Sequence, residues 1–217
     1  MVPDNLSSSR PPGRQMLPQE FIDQHKRERA LRALAKVVSE VGPGELTVAL
    51  VVSEGKMARS TFYDLFDSAD DAFRAAIELG GRKLTLAIDD AAGREGPWPR
   101  RIGNVISALV AAAAEEPDLA RLSLVHGCSG PAASGPFDPA VVTALAGVLR
   151  PARQAYGGAG PSPRTEELVA YGVLAVIAER LRRGEPTALD QELADELTEL
   201  AVRPFLAALD HPAPNWL

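Results

Sequence analysis

Residues 45–66, ELTVALVVSEGKMARSTFYDLF, read as two short helices around a tight turn. Thr47 is placed to cap an apolar helix carrying Val48, Val51 and Val52, because its hydroxyl accepts from N–H groups that lack partners at a helix start. Glu54-Gly55-Lys56 breaks that helix, with Gly55 expected to take the left-handed conformation a sharp corner requires. A second helix, Ala58 to Leu65, carries Arg59, Ser60 and Thr61 at its N-terminal end and Phe62 and Tyr63 behind them. Phe62 and Phe66 are the expected anchors in a small core, with the polar residues left outside.

Upstream, from Pro18 to Val41, apolar residues recur at Phe21, Leu31, Leu34, Ala35, Val38 and Val41, near the 3.6-residue period of an amphipathic helix. Gly42-Pro43-Gly44 stops it. Downstream, Ser68-Ala69-Asp70-Asp71 has the composition of a capped start to a long helix through Phe73, Ile77, Leu84 and Ile88, ended by residues 93–97. Further helices are expected at about 98–115, 117–126, 138–155, 163–184 and 188–209, separated by Gly- and Pro-rich loops at 127–137 and 157–163. No stretch alternates apolar and polar residues for long enough to form a strand, so the chain reads as all-α. The segment Leu168 to Ala178 is apolar all round and is expected to be buried on every side. Leu189, Leu193, Leu197, Leu200, Pro204 and Leu209 form an apolar stripe on the last helix.

This order of elements resembles the TetR family of one-component transcriptional regulators. The residues that carry the resemblance are the helix Arg27 to Val41 ending at Gly42, the Thr47-led helix to Ser53, the run Arg59-Ser60-Thr61-Phe62-Tyr63-Asp64-Leu65-Phe66, and the entry Ser68-Ala69-Asp70-Asp71. Three positions depart from the family pattern. Lys56 stands where Gly is more usual, Val52 where the crossing helices usually have a small residue, and Ala69 where a lysine is common.

The resemblance implies a helix-turn-helix DNA-binding domain at residues 18–66 and a regulatory and dimerisation domain at 67–211, between tails at 1–17 and 212–217. It implies DNA contacts from Thr47, Lys56, Met57, Arg59, Ser60, Thr61 and Tyr63. Among these Arg59 is the first choice for base reading, since its planar fork matches guanine O6 and N7. It further implies a homodimer through the last two long helices, with Val173, Ile177, Leu193, Leu197 and Leu200 at the interface. One short recognition helix covers only half of a palindromic operator, so DNA recognition needs the dimer too. A small-molecule effector pocket is implied near Trp98, Ile102, Ile106, Leu109, Leu122, His126, Tyr156 and Tyr171, although each of these reads more readily as plain core than as a ligand contact. The implied function is a repressor released from DNA by its effector. The alternative is a TetR-like protein that acts as a small-molecule carrier or protein-binding module without an operator.

Composition narrows the remaining classes. The net charge of −6 is unevenly spread: residues 1–66 carry nine Lys/Arg against eight Asp/Glu, a net of +1, and residues 67–217 carry fourteen against twenty-one, a net of −7. Non-specific attraction to DNA should therefore be modest and salt-sensitive. The tail is polar from Asp4 to Gln15, with Arg10 and Arg14 as its cations. One cysteine, Cys128, excludes an internal disulfide and fits a cytoplasmic protein. His126-Gly127-Cys128 offers two metal ligands where zinc needs four, so no metal or other cofactor is expected. Ser129 lacks the strand–nucleophile–helix setting of a hydrolase, Gly157 to Gly160 lacks the order of a phosphate loop, and Glu115-Glu116 before Pro117 reads as a helix end. An enzyme is not expected.

Overall fold

Ser68 starts the longest helix. Its Oγ accepts the Asp71 N–H at 3.1 Å, one of the donors a helix start leaves open, while the Asp71 carboxylate accepts the N–H of Asp67, the residue before the cap, at 3.3 Å. The computed structural model describes residues 19–127, 137–154, 161–162 and 164–210, with only the backbone of 19–20 and 207–210. The tails, Cys128, Ser129, Tyr156 and the Gly157–Gly160 stretch lie outside the described residues.

Among the described residues there are nine α-helices and no strand: α1 Gln19–Val41, α2 Val48–Glu54, α3 Arg59–Leu65, α4 Ala69–Ala92, α5 Trp98–Glu115, α6 Pro117–His126, α7 Pro139–Gln154, α8 Arg164–Arg182 and α9 Gln191–Asp210. The all-α reading holds. Helix α9 begins three residues later than the sequence pattern suggests, because Pro186–Ala188 forms a separate 3-10 turn ahead of it.

Two apolar cores form along this order. The smaller joins Leu31, Leu34 and Val38 of α1 to Val51, Phe62 and Phe66, and is closed by Ala72, Ala76 and Leu79 of α4 with Leu119 and Leu122 of α6. The larger runs from Leu84 and Ile88 of α4 through α5, α7 and α8 to Phe205 of α9. Helix α4 therefore serves one core with its first half and the other with its second. Gly80 and Gly81 stand at the changeover. A Cβ at Gly80 would come within 2.5 Å of the Leu119 carbonyl oxygen and 2.9 Å of Ser123 Cβ, so α6 packs against α4 at a distance no larger residue permits.

Helix α8 corrects the expectation of burial on every side. Val173, Leu174 and Ile177 are buried, but Leu168, Gly172, Ala175 and Val176 face outward. These positions recur at four-, three- and one-residue steps, which places them on one side of the helix. The high apolar content of the segment thus reflects two faces, of which the chain covers one.

Candidate nucleic-acid interface

Thr47 caps α2 as its position suggests, its hydroxyl oxygen accepting the Leu50 N–H at 3.4 Å. The corner between α2 and α3 is built differently from the expectation. Gly55 has a helical φ of −73°, and the left-handed residue is Lys56, at φ 47°. Glycine is needed at 55 for space instead. A Cβ there would sit 3.2 Å from Ala33 Cβ on α1 and 3.1 Å from the Val51 carbonyl oxygen, and would collide with Met57 Cε. Close approach to α1 takes the glycine, so the next residue accommodates the positive φ, at a cost of roughly 1–2 kcal/mol for a residue with a Cβ.

Helix α3 divides cleanly by face. Phe62 and Phe66 are fully or almost fully buried, with ring centroids 5.3 Å apart. Arg59, Ser60, Tyr63 and Asp64 are exposed, and Thr61 is half-buried. Tyr63 packs edge-on against Phe62 at 5.6 Å, and the Arg59 guanidinium lies 5.8 Å from the Tyr63 ring centre. Lys56 is exposed beside them. Met57, expected among the DNA contacts, is half-buried and packs on the smaller core, filling the space that Gly55 leaves open.

The joint between the two cores carries a cluster that sequence reasoning missed. Glu116, at the junction of α5 and α6, accepts from Arg32 Nε of α1 at 2.7 Å and pairs with Lys83 Nζ of α4 at 2.6 Å. Burial pushes the Glu116 carboxyl up, but the hydrogen bonds and charges of Arg32 and Lys83 outweigh it and leave the group below the ordinary carboxylate value. Arg121 of α6 adds a hydrogen bond to the Ser39 carbonyl of α1 at 3.4 Å. A groove of about 260 Å³ between α4, α5 and α6 is lined by Lys83, Leu84, Ala112, Glu116 and Leu119. The only sequence sign of this cluster was the placing of Glu115-Glu116 at a helix end.

A scan against protein-family models gives no match, and a search of curated proteins gives none. Solved structures do match. The fatty acid degradation regulator FadR from Bacillus halodurans superposes with a TM-score of 0.65 at 13% identity, over 82% of this chain and 94% of that one. The TetR family transcriptional regulator PfmR from Thermus thermophilus gives 0.64 at 16% identity, over 81% and 97%. FadR from Bacillus subtilis, solved in complex with stearoyl-CoA, gives 0.59 at 17% identity, over 82% and 98%. This chain has the TetR regulator fold.

Within the TetR fold, the predicted pocket residues divide between packing roles. Ile102, Ile106 and Leu109 are fully buried in the larger core. Trp98 packs edge-on to Phe205 at 6.2 Å and Tyr171 lies 6.1 Å from Phe137. Leu122 is corrected: it belongs to the smaller core, beneath the helix-turn-helix. His126 is half-buried at the end of α6, and burial, then the nearby Arg121 cation, holds it below the ordinary histidine value.

The predicted interface residues need a larger correction. Val173, Ile177, Leu193 and Leu197 are no more than 5% exposed in the single chain, so its own core already uses them and they offer no surface to a second copy. Of the five, Leu200 alone points out, at 59% exposure. Among the described residues no group of three or more His, Cys, Asp or Glu is arranged to hold a metal, and no helix is long and apolar enough to cross a membrane.

Proposed function

We propose that this chain is a one-component transcriptional regulator that binds a palindromic operator as a homodimer and acts as a repressor released by a small-molecule effector. The observation that carries this reading is the division of α3: Phe62 and Phe66 root it in the core while Arg59, Ser60 and Tyr63 stand in solvent. A helix held this way offers its polar side to the major groove, with Arg59 for base edges and Lys56 and Tyr63 for phosphates. Residues 18–66 then serve DNA and the rest of the chain serves regulation and pairing.

The outward stripe of α8, Leu168, Gly172, Ala175 and Val176, together with Leu200 and Leu206 of α9, is the surface for the second copy. An exposed apolar stripe on adjacent elements is what an isologous interface requires. The effector works by preferring the dimer whose recognition helices are wrongly spaced for the operator. A coupling of about 1–3 kcal/mol reduces occupancy roughly five- to 150-fold. The chemistry is binding, and no enzymatic step is assigned.

One observation favours the second reading, a TetR-like carrier or protein-binding module. Lys26, Arg32 and Lys36 of α1 are each engaged by carboxylates, which leaves few cations for phosphates. The deciding experiment is binding of the purified protein to fragments of its own upstream DNA across a salt series. Tight, salt-sensitive and sequence-selective binding supports the regulator. Binding no better than to random DNA at every salt, on upstream fragments and in a genome-wide selection alike, supports the module.

A further inference from the structure

Helix α3 is poorly secured by its own sequence. It has seven residues, and its N-cap, Ala58, supplies no side-chain hydrogen bond. A helix this short does not hold in water by itself. What fixes it must come from elsewhere, and Phe62 and Phe66 supply the apolar part.

Arg27 of α1 supplies the rest. Its Nη1 donates to the Leu65 carbonyl oxygen at 2.6 Å, across 38 residues of sequence. The same guanidinium lies 4.4 Å from the centre of the Phe66 ring. The hydrogen bond satisfies one of the carbonyls that a helix end leaves open, and the cation sits at the negative end of the helix dipole. The stacking contact fixes the plane of the fork against the aromatic anchor. Arg27 is part-buried in this contact, so its charge is turned towards the end of α3 opposite to Arg59.

We propose that Arg27 is a positioning residue for the recognition helix, setting the angle at which Arg59, Ser60 and Tyr63 leave the surface without touching DNA itself. The proposal rests on the DNA-binding reading for its functional consequence, but its structural part is testable without DNA. Lysine is an incomplete substitute, because it retains the charge and one donor but not the planar fork.

The test uses full-length Arg27→Ala and Arg27→Lys proteins in two measurements. In hydrogen exchange, the α3 amides of Arg27→Ala should exchange at least roughly tenfold faster while those of α5, α8 and α9 keep their rates. In DNA binding, operator affinity should fall roughly ten- to 100-fold, the effect of one charge-assisted hydrogen bond. Preference over random DNA should shrink and the salt slope should stay the same, with partial recovery in Arg27→Lys. Unchanged exchange in α3 would overturn the proposal. So would a salt slope lower by about one, which would make Arg27 a phosphate contact, or faster exchange over the whole chain, which would make it a general fold residue. If Arg27→Ala does not fold, Arg27→Lys carries the same comparison at smaller amplitude. Should the unsubstituted protein bind no operator, the regulator reading fails, and the exchange result still decides the role of Arg27.

Discussion

The Glu116 carboxylate accepts the Arg32 guanidinium at 2.7 Å across 84 residues of sequence, which ties the first helix directly to the joint between α5 and α6. Lys83 of α4 pairs with the same carboxylate, so three parts of the chain meet at one side chain. Any rotation of the helix-turn-helix against the larger core must stretch this cluster. A shift in α4 or α6 would therefore be felt in α1, on which the helix-turn-helix packs.

Replacing Glu116 by Gln keeps the shape and removes the charge. Both cations lose an ionic partner in a part-exposed setting, so stability should fall by about 1 kcal/mol, or roughly 2–4 °C in the thermal midpoint. A midpoint within error of the unsubstituted protein would show that solvent screens the cluster completely.

Acidification should weaken the fold in two steps. The His126 value is depressed in the folded chain, so below about pH 6.5 the unfolded chain takes up that proton more readily and stability declines. Glu116 is likewise depressed. Its contribution is complete above the ordinary carboxyl value and is lost as pH falls through the folded one. Urea midpoints measured from pH 8 to 3 should show the first decline vanish in His126→Gln and the second shrink in Glu116→Gln. Identical curves for all three proteins would refute both assignments.

The corner between α2 and α3 separates strain from DNA contact. Lys56→Gly relieves a left-handed residue and should raise stability by up to about 1 kcal/mol, the gain being reduced by the freer unfolded chain. In the same variant the salt slope of operator binding should drop by about one if Lys56 meets a phosphate. Gly55→Ala should instead destabilise by about 1–3 kcal/mol through overpacking against Ala33 and Met57. Thermal unfolding of the pair checks the assignment, and equal effects of the two substitutions would contradict it.

Neighbouring positions on α8 should behave oppositely. Ile177→Ala removes a fully buried side chain and should cost about 2–5 kcal/mol of stability. Val176→Asp falls on the outward stripe, and should leave the folding of the single chain nearly intact while converting a dimer to monomer. Light scattering with size-exclusion chromatography distinguishes them. A Val176→Asp protein that remains dimeric would place the interface elsewhere.

Several helix boundaries were legible because local chemistry marks them, although the start of α9 was not. Thr47 and Ser68 cap their helices, Gly42-Pro43-Gly44 and the residues after Ala92 end theirs, and the observed ranges follow. The division of labour inside the corner was not legible. Gly55 is kept for room against α1, and that is a distance between elements far apart in sequence, so Lys56 takes the φ that local reasoning assigns to glycine. Apolarity likewise marked α8 as an element that must be buried, without separating Ile177 on the inner face from Val176 on the outer one.

Local propensity and periodicity by themselves determined that this chain is all-helical, where most of its helices start and stop, and that two aromatic anchors follow a polar helix start. These depend on interactions within a few residues, which the order of side chains specifies. Only the tertiary structure decided that Leu122 serves the smaller core, that Glu116 receives Arg32 and Lys83, and that Arg27 holds the end of α3. Each of these joins residues tens of positions apart. Their meeting is set by how amphipathic helices share buried surface, a collective result that no local pattern encodes.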